Sequence, residues 1–236
     1  MTTAAPQHGP PETPLGDTRR RARGWSAAGR WARVWLLVGS ALALVGCGES
    51  GPAGRFDETT THPDAPPIAP FDACTVYTAR EEVTSFQHTF VCAELDFTTY
   101  PPVGGDHYPI WAAYQSYEAP VPWGFLLHSM EHGAVVVAYR CDDASCALSE
   151  ALQAVLDERP DDPRCAGQAT RNRMILVPDP TLDEPIAAVA WGRLYSATCL
   201  DAPSLHAFID GAYGRAREDL CNAGMDGSSS GWCAVP

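Results

Sequence analysis

Apolar side chains along this chain of 236 residues are gathered into short runs, and the spacing within each run predicts what it becomes. Val34 to Val45 carries no charge for twelve residues, too short for a helix that must cross roughly 30 Å of hydrocarbon. Val83 to Ala93 (VTSFQHTFVCA) sets Phe, Val and Thr at strand-like spacing and predicts a strand, with His88 on the face away from the core. His128 to Arg140 (HSMEHGAVVVAYR) is the centre of the pattern: two histidines and a glutamate within five residues, a glycine, then an apolar run that reads as a buried strand. Ser145 to Arg159 places Ala147, Leu148, Leu152, Val155 and Leu156 on one face, an amphipathic helix stopped by Pro160. Arg173 to Pro178 and Ile186 to Trp191 read as short buried strands separated by proline turns, and Ser204 to Leu220 as a second amphipathic helix with Leu205, Phe208, Ile209 and Tyr213 inward.

Between these runs, Tyr100 to Pro122 differs in kind. Five prolines (101, 102, 109, 120 and 122) deny it regular structure, while five aromatic side chains require that it be pinned over the core. Long pinned loops of this sort carry function more often than connecting loops do. The expected fold is therefore α+β: a small mixed or antiparallel sheet covered by two helices, with a long proline- and aromatic-rich loop.

The N-terminal third has another character. Residues 1–18 have no periodicity and read as disordered, and Arg19, Arg20, Arg21, Arg23, Arg30 and Arg33 precede the apolar run, the order of a secretory signal. The run ends in Leu44-Val45-Gly46-Cys47, which resembles the lipobox of bacterial lipoproteins, where the cysteine is acylated and becomes the first residue. An ordinary signal peptide with a chance cysteine is the alternative; twin-arginine export fits less well, because Thr18-Arg19-Arg20-Arg21 lacks the apolar pair that should follow. The expected organisation is residues 1–46 as start and cleaved signal, 47–70 as acylated Cys47 and a flexible Gly-, Pro- and Thr-rich tether, and 71–236 as one domain. Gly48 after the cysteine, by the same resemblance, favours the outer membrane or cell surface over retention at the inner membrane.

Charge narrows the partners. The chain has 16 basic and 29 acidic residues; six and two of them lie in residues 1–47, which leaves ten against 27, a net −17 for the remainder. Such a surface repels nucleic acid and anionic lipid and favours cations, so the membrane is expected as a partner only through the N-terminal lipid. Besides Cys47 there are eight cysteines, Cys74, Cys92, Cys141, Cys146, Cys165, Cys199, Cys221 and Cys233, an even number that reads as up to four disulfides in an oxidising compartment. On the order of a hundred pairings are possible; the sequence neighbours Cys74 with Cys92, Cys221 with Cys233, and Cys141 with Cys146 are the simplest expectation. A cysteine metal site is disfavoured because no CxxC occurs.

With these residues laid out, the chain resembles the uncharacterised family called domain of unknown function 3105. Its pattern is a YPxxPPxGGxHxPxW segment, a Y-x-x-PVP, a VHSLEHGAVxxxYR core and a later A-x-AWGR; the sequence supplies Tyr100 to Pro109 with Trp111, Tyr117 to Pro122, His128 to Arg140, and Ala188 to Arg193. It departs at Asp106, Tyr108 and Met130, where the family has proline, asparagine and leucine. The resemblance covers residues 98–215 and implies a fold family without an activity.

The chemistry therefore has to come from the side chains. His128 and His132, four apart, share a face of a helix or of a strand, and either geometry lets both imidazoles reach one ion. His107 joins them if the aromatic loop folds back, and Glu131 stands beside them as a fourth ligand or as a partner of one. Three nitrogens and a carboxylate suit Zn or Cu(II); Met130 is expected in the core. Two alternatives stay open. The cluster can be a buried polar network, its rings bonded to backbone carbonyls of the loop and Glu131 paired with Arg140 or Arg193. Or His128-x-x-Glu131-His132 can be the H-x-x-E-H motif of zinc hydrolases, although Gly133 and a strand follow where that class has a long helix. His88 and His206 read as surface residues, and Trp111, Trp123 and Trp191 as core.

Overall fold

The structure, a computed structural model, describes residues 54–141, 147–228 and 231–233. The expected signal segment (residues 1–46), Cys47 and Cys146 lie outside the described residues. Six strands, β1 (Arg55–Thr61), β2 (Val76–Glu81), β3 (Val135–Tyr139), β4 (Met174–Pro178), β5 (Ile186–Ala190) and β6 (Arg193–Ala197), form one sheet in the order β1-β2-β6-β5-β3-β4. Neighbours are antiparallel except β3 and β4, which are parallel and are joined, as parallel strands must be, by a crossover through a helix, α2 (Ala147–Asp157). The other helices are α1 (Trp123–Glu131) and α3 (Ala202–Ala212).

The expected mixed sheet and α+β class hold, but among the described residues three α-helices flank the sheet instead of two. On one face Val136, Ala138 and Val189 pack with Phe125, Leu126 and Met130 of α1; on the other, Val135, Val137 and Ile186 pack with Leu152 and Leu156 of α2 and Leu205 and Ile209 of α3. β3 is thus covered on both faces, which is why it reads as VVVAY without alternation. α3 is also shorter than its apolar pattern, since the chain turns at Gly214 (φ +67°). Residues 214–220 then run back along the end of α1: Gly214 donates to Gly133, Glu218 to Glu131 and Leu220 to His132, at 2.9, 3.0 and 3.2 Å.

Two expectations about the first half are corrected. Residues 55–61 are strand β1 and not tether, so the sheet begins before Phe71; RFDETTT has no alternation because it is an edge strand with all but Arg55 exposed. Val83 to Ala93 is not a strand: only His88 forms an isolated bridge, to His107, Phe90 is 90% exposed, and the pairing partner β6 is taken by β2 just upstream. Residues 100–122 contain no strand or helix and are held by bridges, Ser116 to Leu176 on the outer edge of β4 and Ala112 to Met225. Trp123 is buried, and Trp111 and Trp191 are half-buried against the core.

Three disulfides among the described residues join cysteines far apart in the sequence. Cys74 bonds Cys199, Cys92 bonds Cys233 and Cys165 bonds Cys221, which overturns the pairs Cys74 with Cys92 and Cys221 with Cys233. The first follows from the sheet, because β2 and β6 are antiparallel with Val76 opposite Ala197, and the cysteines just beyond those residues meet. Cys141 is also disulfide-bonded.

Gly133, between α1 and β3, has φ +92°, and a Cβ there would lie 2.6 Å from Nη1 of Arg173 and 3.0 Å from the Gly214 Cα. Gly133→Ala is expected to destabilise the domain by about 1–2 kcal/mol from the left-handed backbone alone, and by more once the buried guanidinium is displaced. Urea denaturation measures it; an unchanged midpoint would contradict this account.

Candidate metal centre

α1 begins directly after Pro122, whose φ of −58° suits a helix entrance, and all nine of its residues are buried between the sheet and the irregular segment. Its last turn therefore places His128 and Glu131 inside the protein, 5% and 3% exposed. His107 reaches them from the turn Gly104-Gly105-Asp106-His107 and is itself fully buried. His88 comes from the segment before it. The bridge that joins the two histidines consists of Thr89 N–H to the His107 carbonyl at 2.8 Å and His107 N–H to the Gln87 carbonyl at 3.1 Å. Asp106 fastens the same join: its Oδ1 accepts from Ser85 Oγ at 2.5 Å and from Gln87 N–H at 2.8 Å. Those two bonds hold its carboxyl below the usual carboxylate range.

The result is a group of four potential ligands, His88, His107, His128 and Glu131, whose donor atoms all lie within 4.8 Å of one another. Nδ1 of His107 donates to the Gly105 carbonyl at 2.9 Å and Nδ1 of His128 to the Tyr108 carbonyl at 2.6 Å. Both rings thus spend one nitrogen on the backbone and present the other, the way metal-binding histidines are oriented in proteins. Nε2 of His107 stands 3.0 Å from Glu131 Oε2, and Nε2 of His88 stands 3.8 Å from the same oxygen. A neutral imidazole carries a single N–H. With His107's spent on Gly105, its other nitrogen faces a carboxylate lone pair to lone pair, an arrangement that calls for a proton or a cation between them.

Surrounding groups complete the site. Oε1 of Glu131 accepts from Arg217 Nη1 at 2.6 Å, and that guanidinium lies 3.4 Å from the Phe86 ring centroid. The pairing expected with Arg140 or Arg193 is therefore made by Arg217 instead. Trp191 packs edge-on to His107 and Trp111 against His128 and His132. Burial, opposed by the bond to Tyr108 and reinforced by the neighbouring rings, pulls the His128 pKa down to about 4, so its presented nitrogen keeps a free lone pair at neutral pH.

Of the residues singled out in the sequence, the structure brings His107, His128 and Glu131 together. His132 stands outside the set. It caps α1, turns Nε2 to Glu218 Oε2 at 3.2 Å, and leaves Nδ1 buried without a hydrogen-bond partner. Burial lowers its pKa as well. His88, read as a surface residue, takes the fourth place while half exposed. No spacing announces it, since it lies 19 positions before His107 and meets it only through the bridge. Met130 is fully buried in the core, as expected.

No curated protein and no solved structure matches the chain. A family model described as "Protein of unknown function (DUF3105)" matches residues 88–223, a span that opens on His88 and contains all four clustered residues. Since that match covers more than half of the sequence, the chain belongs to the DUF3105 family of proteins of unknown function.

Proposed function

We propose that this protein is an exported, lipid-anchored domain that binds one divalent cation, Zn or Cu(II), through His88, His107, His128 and Glu131. The observation that carries the reading is His107, fully buried, with one ring nitrogen bonded to Gly105 and the other facing Glu131. Three imidazoles and a carboxylate are the donor set of borderline metals. The net charge of −13 concentrates cations near the surface, and half-exposed His88 gives an ion a way in. The disulfides fit an oxidising compartment. No helix among the described residues is long and apolar enough to cross a membrane. The lipobox-like Leu44-Val45-Gly46-Cys47 supports the anchor, which incorporation of labelled palmitate, lost in Cys47→Ser, tests.

A hydrolase of the H-x-x-E-H kind would need His128 and His132 as joint ligands and Glu131 free to activate water. Here His132 is turned to Glu218 and Glu131 is fixed between Arg217 and His107, so binding is the better reading. The competing structural role is supported by the bonds from His107 and His128 to the backbone, which would also pin the irregular segment. Elemental analysis decides between them. Residues Gly48–Pro236 contain every described strand, helix and disulfide. After exposure to Zn(II) and Cu(II) and removal of loose ions, this unit is expected to retain about one equivalent. A folded protein that retains none would leave the cluster as a scaffold.

A further inference from the structure

On the sheet face that carries α2 and α3, α3 lies against β5 and β6, and β2 and β1 continue the sheet past it. The step between helix and sheet is a groove of about 420 Å³, bounded by Val76, Thr78 and Arg80 of β2, Arg193 of β6, and Phe208 and Gly211 of α3. That size lies within the roughly 300–1,000 Å³ of small-molecule sites. Register explains its two ends: Val76 pairs with Ala197 at the apolar end, and Arg80 pairs with Arg193 at the other, so two guanidinium groups stand side by side on one face. At Gly211 an added Cβ would meet nothing within 4 Å.

Half-buried Arg193 has no carboxylate partner among the described residues. Burial, followed by the charges of Arg80 and Arg215, lowers its pKa. Arg80 is held by exposed Asp57 at 3.4 Å and by the Phe56 ring, 5.1 Å from its guanidinium carbon. In a chain of net charge −13, this groove carries two guanidinium groups against one carboxylate, Asp57 at its rim beside Arg80, and the unpaired Arg193 is open to an anion, which a guanidinium grips in bidentate fashion.

We propose that the groove binds a single-chain amphiphile with an anionic head, the head at Arg193 and Arg80 and the apolar chain between Val76 and Phe208 beneath Gly211. The site lies on the sheet face opposite α1 and its histidines, so it stands or falls independently of metal binding. The test titrates dodecanoate, below its micellar concentration, into Gly48–Pro236 by calorimetry, with dodecyltrimethylammonium as the charge control. One equivalent of dodecanoate is expected to bind and the cation is not. Arg193→Gln is expected to weaken binding at least ten-fold by removing the counter-charge. Gly211→Phe, at an exposed position of α3, is expected to do the same by filling the groove while leaving both arginines in place. Absence of dodecanoate binding, equal binding of the cation, or parent-like binding by both variants would each overturn the proposal; if one variant does not fold, the other decides.

Discussion

His107→Ala is expected to abolish retention of the metal, with a loss of affinity well beyond 100-fold, and His132→Ala to leave affinity within a few-fold of the parent. The contrast is sharp because the two histidines look equivalent in the sequence. His107 presents Nε2 to Glu131 and its removal also frees the Gly105 carbonyl, whereas His132 lies outside the four clustered residues and turns its Nε2 to Glu218, 3.2 Å away. His128→Ala should match His107→Ala. Arg217→Ala, which only orients Glu131, should cost about 10–100-fold, as loss of an orienting partner does elsewhere. Competition against a chromophoric chelator measures each affinity, and near-ultraviolet circular dichroism reports whether each variant keeps its core. Retention by His107→Ala, or loss by His132→Ala in a folded protein, would contradict the assignment of ligands.

Legibility in the sequence followed burial. β3, β4, β5 and α2 were readable because each carries a run or stripe of apolar residues that ends inside the core, as MILVP and IAAVA do. β1 was not, because an edge strand exposed on both faces needs only backbone pairing, and RFDETTT offers that without any apolar signature. β6 was hidden for a related reason, since Arg193 and Ser196 interrupt a strand that is nonetheless buried over four of its five residues. The same logic divides the candidate site. His128 and Glu131 sit in a wholly buried helix next to a buried strand, so their polarity stood out. His88 reaches the site through one bridge and through the Gln87 N–H next to it, which donates to Asp106, contacts that no local period encodes. Disulfides were illegible for lack of the strand order: Cys74 and Cys199 are 125 positions apart and become neighbours only once β2 pairs with β6.

The largest stability effect is expected at Arg173, the guanidinium that joins the end of α1 to the segment behind it. It is 2% exposed. Nη2 and Nε donate to Asp162 Oδ2 at 2.8 and 3.1 Å, and Nη1 donates to Asp219 Oδ1 and to the His132 carbonyl, both at 2.7 Å. Tyr213 adds its hydroxyl to Asp162 Oδ2 at 2.7 Å. Arg173→Leu fills the space but strands the Asp162 carboxylate, whose side chain is 9% exposed, and removing one partner of a buried ion pair costs about 3–5 kcal/mol. The pH dependence separates charge from packing. In the parent, burial works against the Asp162 carboxylate, but the bonds from Tyr213, the Arg164 N–H and Arg173 outweigh it, so its pKa is lowered. That stabilisation is complete above the unfolded value of about 3.9 and is lost as pH falls through the folded one. In Arg173→Leu burial acts with less opposition, which raises the Asp162 pKa, and protonation then relieves the variant while the parent gains nothing. The deficit measured by urea denaturation is therefore expected to be largest near pH 7 and to shrink toward pH 4. A deficit below about 1 kcal/mol, or one that does not change with pH, would mean that Arg173 acts here through its hydrocarbon and not through its charge.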